Sequence, residues 1–125
     1  MIKIDSETKM IEINRGDKGA INFTSTNADG TPYEFQIGDV ITFGVYVKSH
    51  LESSAVILKN ITVDEATEEV VIELTSEDTK LGDIKSKYVD YWYEIQLNHE
   101  DTIIGYDDDG AKKFRVYPEG SDTKW

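Results

Sequence analysis

The chain has 125 residues, with 25 Asp and Glu against 13 Lys and Arg, a net charge of −12, and no cysteine. That length suits one domain with a sizeable core, and the missing thiols exclude disulfides, thiolate metal sites and cysteine nucleophiles. The acidic surface repels phosphate backbones and holds no basic cluster longer than Lys112-Lys113, so nucleic acid is not expected as a partner.

The opening MIKIDSETK carries charges at Lys3, Asp5, Glu7 and Lys9 and lacks the apolar run of a secretory signal. Read as a native start, it implies synthesis and folding in the cytoplasm. Apolar runs such as AVIL at 55–58 are far too short to cross a bilayer, so no membrane segment is expected. Along the chain, apolar residues recur with period two in short runs between turn residues, the pattern of half-buried strands. Ile11 and Ile13 alternate with Met10 and Glu12, and Ile21 and Phe23 with Ala20, Asn22 and Thr24. VITFGVYV at 40–47, AVILKNI at 55–61 and EVVIELT at 69–75 follow. YWYEIQL at 91–97, TIIGY at 102–106 and KKFRVY at 112–117 complete about eight strands, a number that suits a two-sheet sandwich or a small barrel.

The punctuation between the runs has physical content. In NADGTPY at 27–33, Asp29-Gly30 tolerates positive φ and Pro32 stops the ladder from continuing. DDDG at 107–110 is a similar hairpin signal, and residues 98–101 are expected to turn the chain before TIIGY. The last three strands therefore read as an antiparallel meander. One segment departs from the β pattern: in TSEDTKLG at 75–82, Thr75 caps and Asp78 answers three residues on, predicting a short helical crossover near 76–81. No repeat or linker divides the chain, so one domain is expected over 1–119 with a flexible tail over 120–125.

The pleat separates the aromatic residues of 91–97. Tyr91, Tyr93, Ile95 and Leu97 fall on one face, as a core requires; Trp92, Glu94 and Gln96 fall on the other. Trp92 is expected to pack across strands, against Tyr106 or Tyr117 and the stems of Lys113 or Arg115, with a stacking surface as its alternative use. Trp92, Glu94 and the terminal Trp125 are the candidate interface or ligand-stacking residues.

Chemical motifs are scarce. Arg15-Gly16-Asp17 matches an integrin-binding tripeptide but stands at a natural turn between two strands. A calcium loop aligned on Asp29-Gly30 places Ser25 first and Gln36 twelfth, so the required Asp and Glu are both missing; Asp107, Asp108 and Asp109 offer at most a weak, incidental site. His50 and His99 lie apart in predicted turns, short of a zinc ligand set. Neighbouring Ser49 and His50 cannot adopt the geometry of a catalytic triad. Nothing selects a carboxylate pair for glycoside hydrolysis from 25 acids, and neither GxGxxG nor GxxxxGK occurs. Catalytic residues, bound metal and cofactors are therefore not expected.

Several segments stand in a familiar order: IEINRGDKG at 11–19, DGTPY at 29–33, GDVITFGV at 38–45, VIELTSEDT at 71–79 and YWYEIQL. Together they resemble the immunoglobulin-like antiparallel β-sandwich domain of phage and prophage tail and baseplate proteins from Gram-positive bacteria, as at the amino end of the baseplate upper protein. The resemblance implies a virion structural component, without catalytic residues, that links other phage structural proteins, often within a symmetric homo-oligomer. In that family further segments follow the domain, whereas this sequence ends in YPEGSDTKW, as expected of a free-standing accessory protein or a fragment. The competing expectation is a carbohydrate-binding sandwich that uses Trp92, Tyr91 and Tyr93.

Overall fold

A computed structural model describes residues 2–5, 7–47, 55–81, 87–105 and 110–118. It is all-β, a sandwich with unequal sheets. The described strands are β1 (Lys3–Ile4), β2 (Ile11–Asn14), β3 (Gly19–Thr24), β4 (Val40–Tyr46), β5 (Ala55–Thr62), β6 (Glu69–Leu74), β7 (Val89–Leu97), β8 (Asp101–Ile104) and β9 (Lys112–Tyr117). All eight expected strands form, and the two-residue β1 is an addition.

The wide sheet runs in the order β1-β2-β9-β7-β4-β5, with β8 also on β7; β3 and β6 form the narrow sheet. Every pairing is antiparallel except that of β2 with β9, which is parallel, with Ile11 opposite Phe114 and Ile13 opposite Val116. One core joins the two sheets. Ile21, Phe23, Val70, Ile72 and Leu74 of the narrow sheet pack into the same cluster as Phe43, Tyr93, Ile95 and Phe114 of the wide one. Phe35, fully buried in the connection between β3 and β4, closes the core edge-on to Phe23 at 6.0 Å and Tyr33 at 5.0 Å between ring centres.

β7 is the axis of the wide sheet. Its burial alternates as its sequence does, with Tyr91, Tyr93, Ile95 and Leu97 buried and Trp92, Glu94 and Gln96 half-buried. β4 lines one edge of it over 92–97. β9 takes 89–93 of the other edge and β8 takes 95–97. This corrects the expected meander: β8 and β9 do not pair with each other but run in line as two pieces of one strand. β7 has nine residues, long enough to hold both pieces end to end. Of the connection between them, residues 106–109 lie outside the described residues.

The turns follow their chemistry. Asn98 and His99 both have positive φ, 53° and 58°, and the Glu100 N–H donates to the Leu97 carbonyl at 3.0 Å, a type I′ hairpin. Gly30 takes φ +88° while Asp29 accepts from the Thr31 N–H and hydroxyl. Arg15-Gly16-Asp17 is the expected turn, with Gly16 at φ +85° and the Asp17 N–H on the Asn14 carbonyl.

The helical crossover does not form. Thr75 and Asp78 make the reciprocal cap, Thr75 N–H to Asp78 Oδ2 at 2.8 Å and Asp78 N–H to Thr75 Oγ1 at 3.2 Å, but the chain remains a turn. Its next residues are committed elsewhere: the buried Thr79 hydroxyl donates to the Asp17 carbonyl and Leu81 sits in the core. A single nucleated turn without propagation returns too little to continue as a helix.

Candidate interaction surface

The outer face of the wide sheet, turned away from the core, divides into two halves along β7. On the β9 and β2 side, polar groups satisfy one another. Arg115 forks onto Asp90, Nε to Oδ1 at 2.7 Å and Nη2 to Oδ2 at 3.1 Å, with both side chains 18% exposed. Its guanidinium lies 3.8 Å from the centre of the Tyr88 ring. Tyr88 meets Tyr117 edge-on at 6.1 Å, and the Tyr117 hydroxyl donates to Glu12 Oε1 at 2.7 Å. Lys113 adds a longer contact to Asp90, 3.8 Å.

The β4 and β5 side is built differently. Three cross-strand rows place Tyr46 beside Trp92, Gly44 between Leu58 and Glu94, and Thr42 between Asn60 and Gln96. Gly44 is required by its neighbour. A Cβ there would lie 2.5 Å from the Tyr46 hydroxyl oxygen and 2.8 Å from its ring carbons, so the Tyr46 ring lies down over the glycine. On the other edge of β7, just past β8, a Cβ at Gly105 would lie 2.6 Å from Thr102 Cγ2, 3.1 Å from Glu94 Cγ and 3.2 Å from its Oε2, so this glycine makes room for the Thr102 methyl first and for the Glu94 side chain next. Leu58, 55% exposed, and Val56, 40% exposed at the bulge where β4 shifts register against β5, leave apolar surface at this end.

Glu94 stands at the centre of this half. Burial pushes its carboxyl above the usual carboxylate range. Burial, and then the Glu94 charge, raises the Tyr46 phenol. Among the described residues no hydrogen bond or ion pair engages the Glu94 carboxylate.

Of the expected site residues, Trp92 and Glu94 come together on this face and Trp125 lies outside the described residues. Trp92 faces Lys113, as expected, and Tyr46, which was not; Arg115 and Tyr117 are engaged in the other half, and Tyr106 is outside the described residues. Sequence reasoning also missed Leu58 and Gly44. The signal for both was present: VITFGVYV and AVIL are apolar on both faces, unlike strands that turn a polar face to water.

His99 is exposed at its hairpin, while His50 and the acidic tip of Asp107, Asp108 and Asp109 lie outside the described residues. Among the described residues no group of three His, Asp or Glu side chains is placed to hold a metal ion. Three depressions of about 450, 260 and 210 Å³ each have one carboxylate in their lining, Glu7, Glu73 and Asp5 respectively. Comparison with known proteins finds no matching family model and no matching curated protein.

Proposed function

We propose that the chain is a non-enzymatic structural domain that acts through protein–protein contacts. In the setting its resemblance implies, it is a tail or baseplate component whose partners are other phage structural proteins. One observation carries the contact reading: the β4 and β5 half of the outer face keeps Leu58 and Val56 exposed beside the partly exposed Tyr46 and Trp92. Water is a poor solvent for that group of side chains, and a covering protein surface removes the cost.

Light scattering behind size exclusion, over a wide concentration range, decides whether the partner is another copy. With −12 on each chain, the expected result is a monomer. A closed oligomer that Leu58→Ser dissolves would instead seat a second copy on this face. Carbohydrate binding is the second reading, favoured by Trp92 and Tyr46 standing side by side as a stacking platform. Saturable binding to any member of a glycan panel, lost in Trp92→Ala, would replace the protein-contact reading; flat titrations with every sugar would remove the alternative.

A further inference from the structure

The two halves of the outer face share a set of parts. In the closed half a carboxylate, Asp90, and an aromatic ring, Tyr88, hold a guanidinium between them. In the open half a carboxylate, Glu94, stands one row along from a cross-strand aromatic pair: Trp92, two residues back on the same strand face, and Tyr46, whose ring lies over the Gly44 that faces Glu94. No cation of this chain serves it among the described residues: Arg115 and Lys113 turn to Asp90, and Lys59 turns to Asp78 at 2.8 Å.

We propose that the open half is a receptor site for a cationic side chain, Arg or Lys, presented by a partner protein among apolar residues. This rests on the reading of the face as a protein contact surface and names the partner's chemistry. Glu94 supplies the counter-charge, Tyr46 and Trp92 the walls, and Leu58 the apolar rim. Gly44 lets the Tyr46 ring lie flat on the strand opposite Glu94, and Gly105 lets the Glu94 side chain lie flat on the sheet, so both groups are held against the backbone. Covering the site with an apolar surface alone would leave a carboxylate buried without a partner, a costly outcome that selects against uncharged occupants. A second copy fits poorly, because it brings another −12. A basic partner is drawn by the net charge at long range and held by cation–π and ion-pair contact at short range.

The test uses the full, isotope-labelled chain and two blocked peptides, acetyl-Leu-Arg-Leu-amide and its citrulline counterpart, which keeps the shape and loses the charge. Amide shifts are followed in titrations to about 5 mM, where a contact of this size is measurable. The expected result is a set of shifts centred on Gly44, Tyr46, Leu58 and Glu94, with the Arg peptide bound about tenfold tighter than the citrulline peptide. That preference disappears in Glu94→Gln, and Tyr46→Leu weakens the Arg peptide with the carboxylate intact. The same spectra report whether each variant is folded.

Equal affinity for the two peptides, or an Arg preference that survives Glu94→Gln, overturns the cation site. If Leu58→Ser weakens both peptides while Glu94→Gln changes neither, the contact surface stands and only its proposed chemistry falls. Shifts confined to other surfaces, or none at all, overturn both.

Discussion

Two halves of one sheet face, separated by the width of β7, solve the same problem in opposite ways. Beyond β7 toward β9, the half-buried polar side chains find partners within the chain, Asp90 with Arg115 and Glu12 with Tyr117, and Tyr88 lies under the guanidinium. Toward β5 the Thr42 hydroxyl donates to Asn60 at 2.8 Å, but the rest of the face keeps aliphatic and aromatic side chains beside one carboxylate without a hydrogen bond or ion pair among the described residues. The backbones differ too, with a parallel pair of β2 and β9 on one side and an antiparallel, bulged pair of β4 and β5 on the other, but the contrast in exposure lies in the side chains. Stability is served by the first arrangement, and the second leaves its central carboxylate and apolar surface available to another molecule.

That contrast can be broken at several points. The strongest effects belong beneath it, on the inner face of β7, where Ile95→Ala and Tyr93→Ala should each cost about 2–5 kcal/mol in urea unfolding. Unchanged midpoints would mean the faces of β7 have been assigned backwards. Next comes the closed half: Asp90→Ala strands the Arg115 guanidinium in a site only 18% exposed and should cost about 1–3 kcal/mol, with Arg115→Ala restoring little further loss when added to it. A loss as small as that of an exposed surface pair would show that this half is not held together as described.

Carboxylate pH dependence sharpens the comparison by sign. Asp39, held low first by the Gln36 N–H and then by Asn98 and Tyr33, resembles the closed half. Its folded pKa is depressed, so its stabilisation is present above the unfolded value of 3.8 and is lost as pH falls through the folded one. Asp39→Asn should therefore lower the thermal midpoint at neutral pH, with the deficit closing in acid. Glu94 runs the other way. Its folded pKa is raised, so its favourable contribution exists below 4.5 and is lost as pH climbs through the folded value. Glu94→Gln should raise the midpoint at neutral pH, and that gain should close by about pH 4, below the unfolded value of 4.5, whereas the Asp39→Asn deficit closes only well below 3.8; thermal scans of both variants at pH 7, about pH 4 and about pH 2 check the opposite signs and the different windows. The smallest effect belongs to the open rim, where Leu58→Ser should stay within about 0.5 kcal/mol of the parent in urea unfolding, because a side chain 55% exposed has little packing to lose.

Much of this was legible in the residues. Period two found every strand from β2 to β9, and the alternation in YWYEIQL assigned both faces of β7, because a half-buried strand writes its burial directly into its pattern. Strand order was not legible in the same way. Whether β8 lies between β7 and β9 or in line with β9 depends on the length of β7 and on residues far away in sequence, and both arrangements use the same alternating pattern. The turn at 75–79 carries a true capping signal, which sequence reasoning extended into a helix; the tie from Thr79 to Asp17 that prevents it spans 62 positions. On the open half, Trp92 and Glu94 could be placed on one face from β7 alone. Tyr46 and Leu58 could not, since apolar residues on both faces of β4 and β5 hide which side meets the core.

The parallel pairing of β2 with β9 has a mechanical consequence. β2 is entered from the amino-terminal side at Ile11 and β9 is left on the carboxyl-terminal side at Tyr117, at opposite ends of the paired segment. A pull on the two ends of the chain therefore drags these strands past each other along their length. The bonds of all four paired positions, from Ile11 with Phe114 to Asn14 with Tyr117, then share the load at once and do not open one after another like a zip. Tension carried through the chain therefore loads this strand pair in shear.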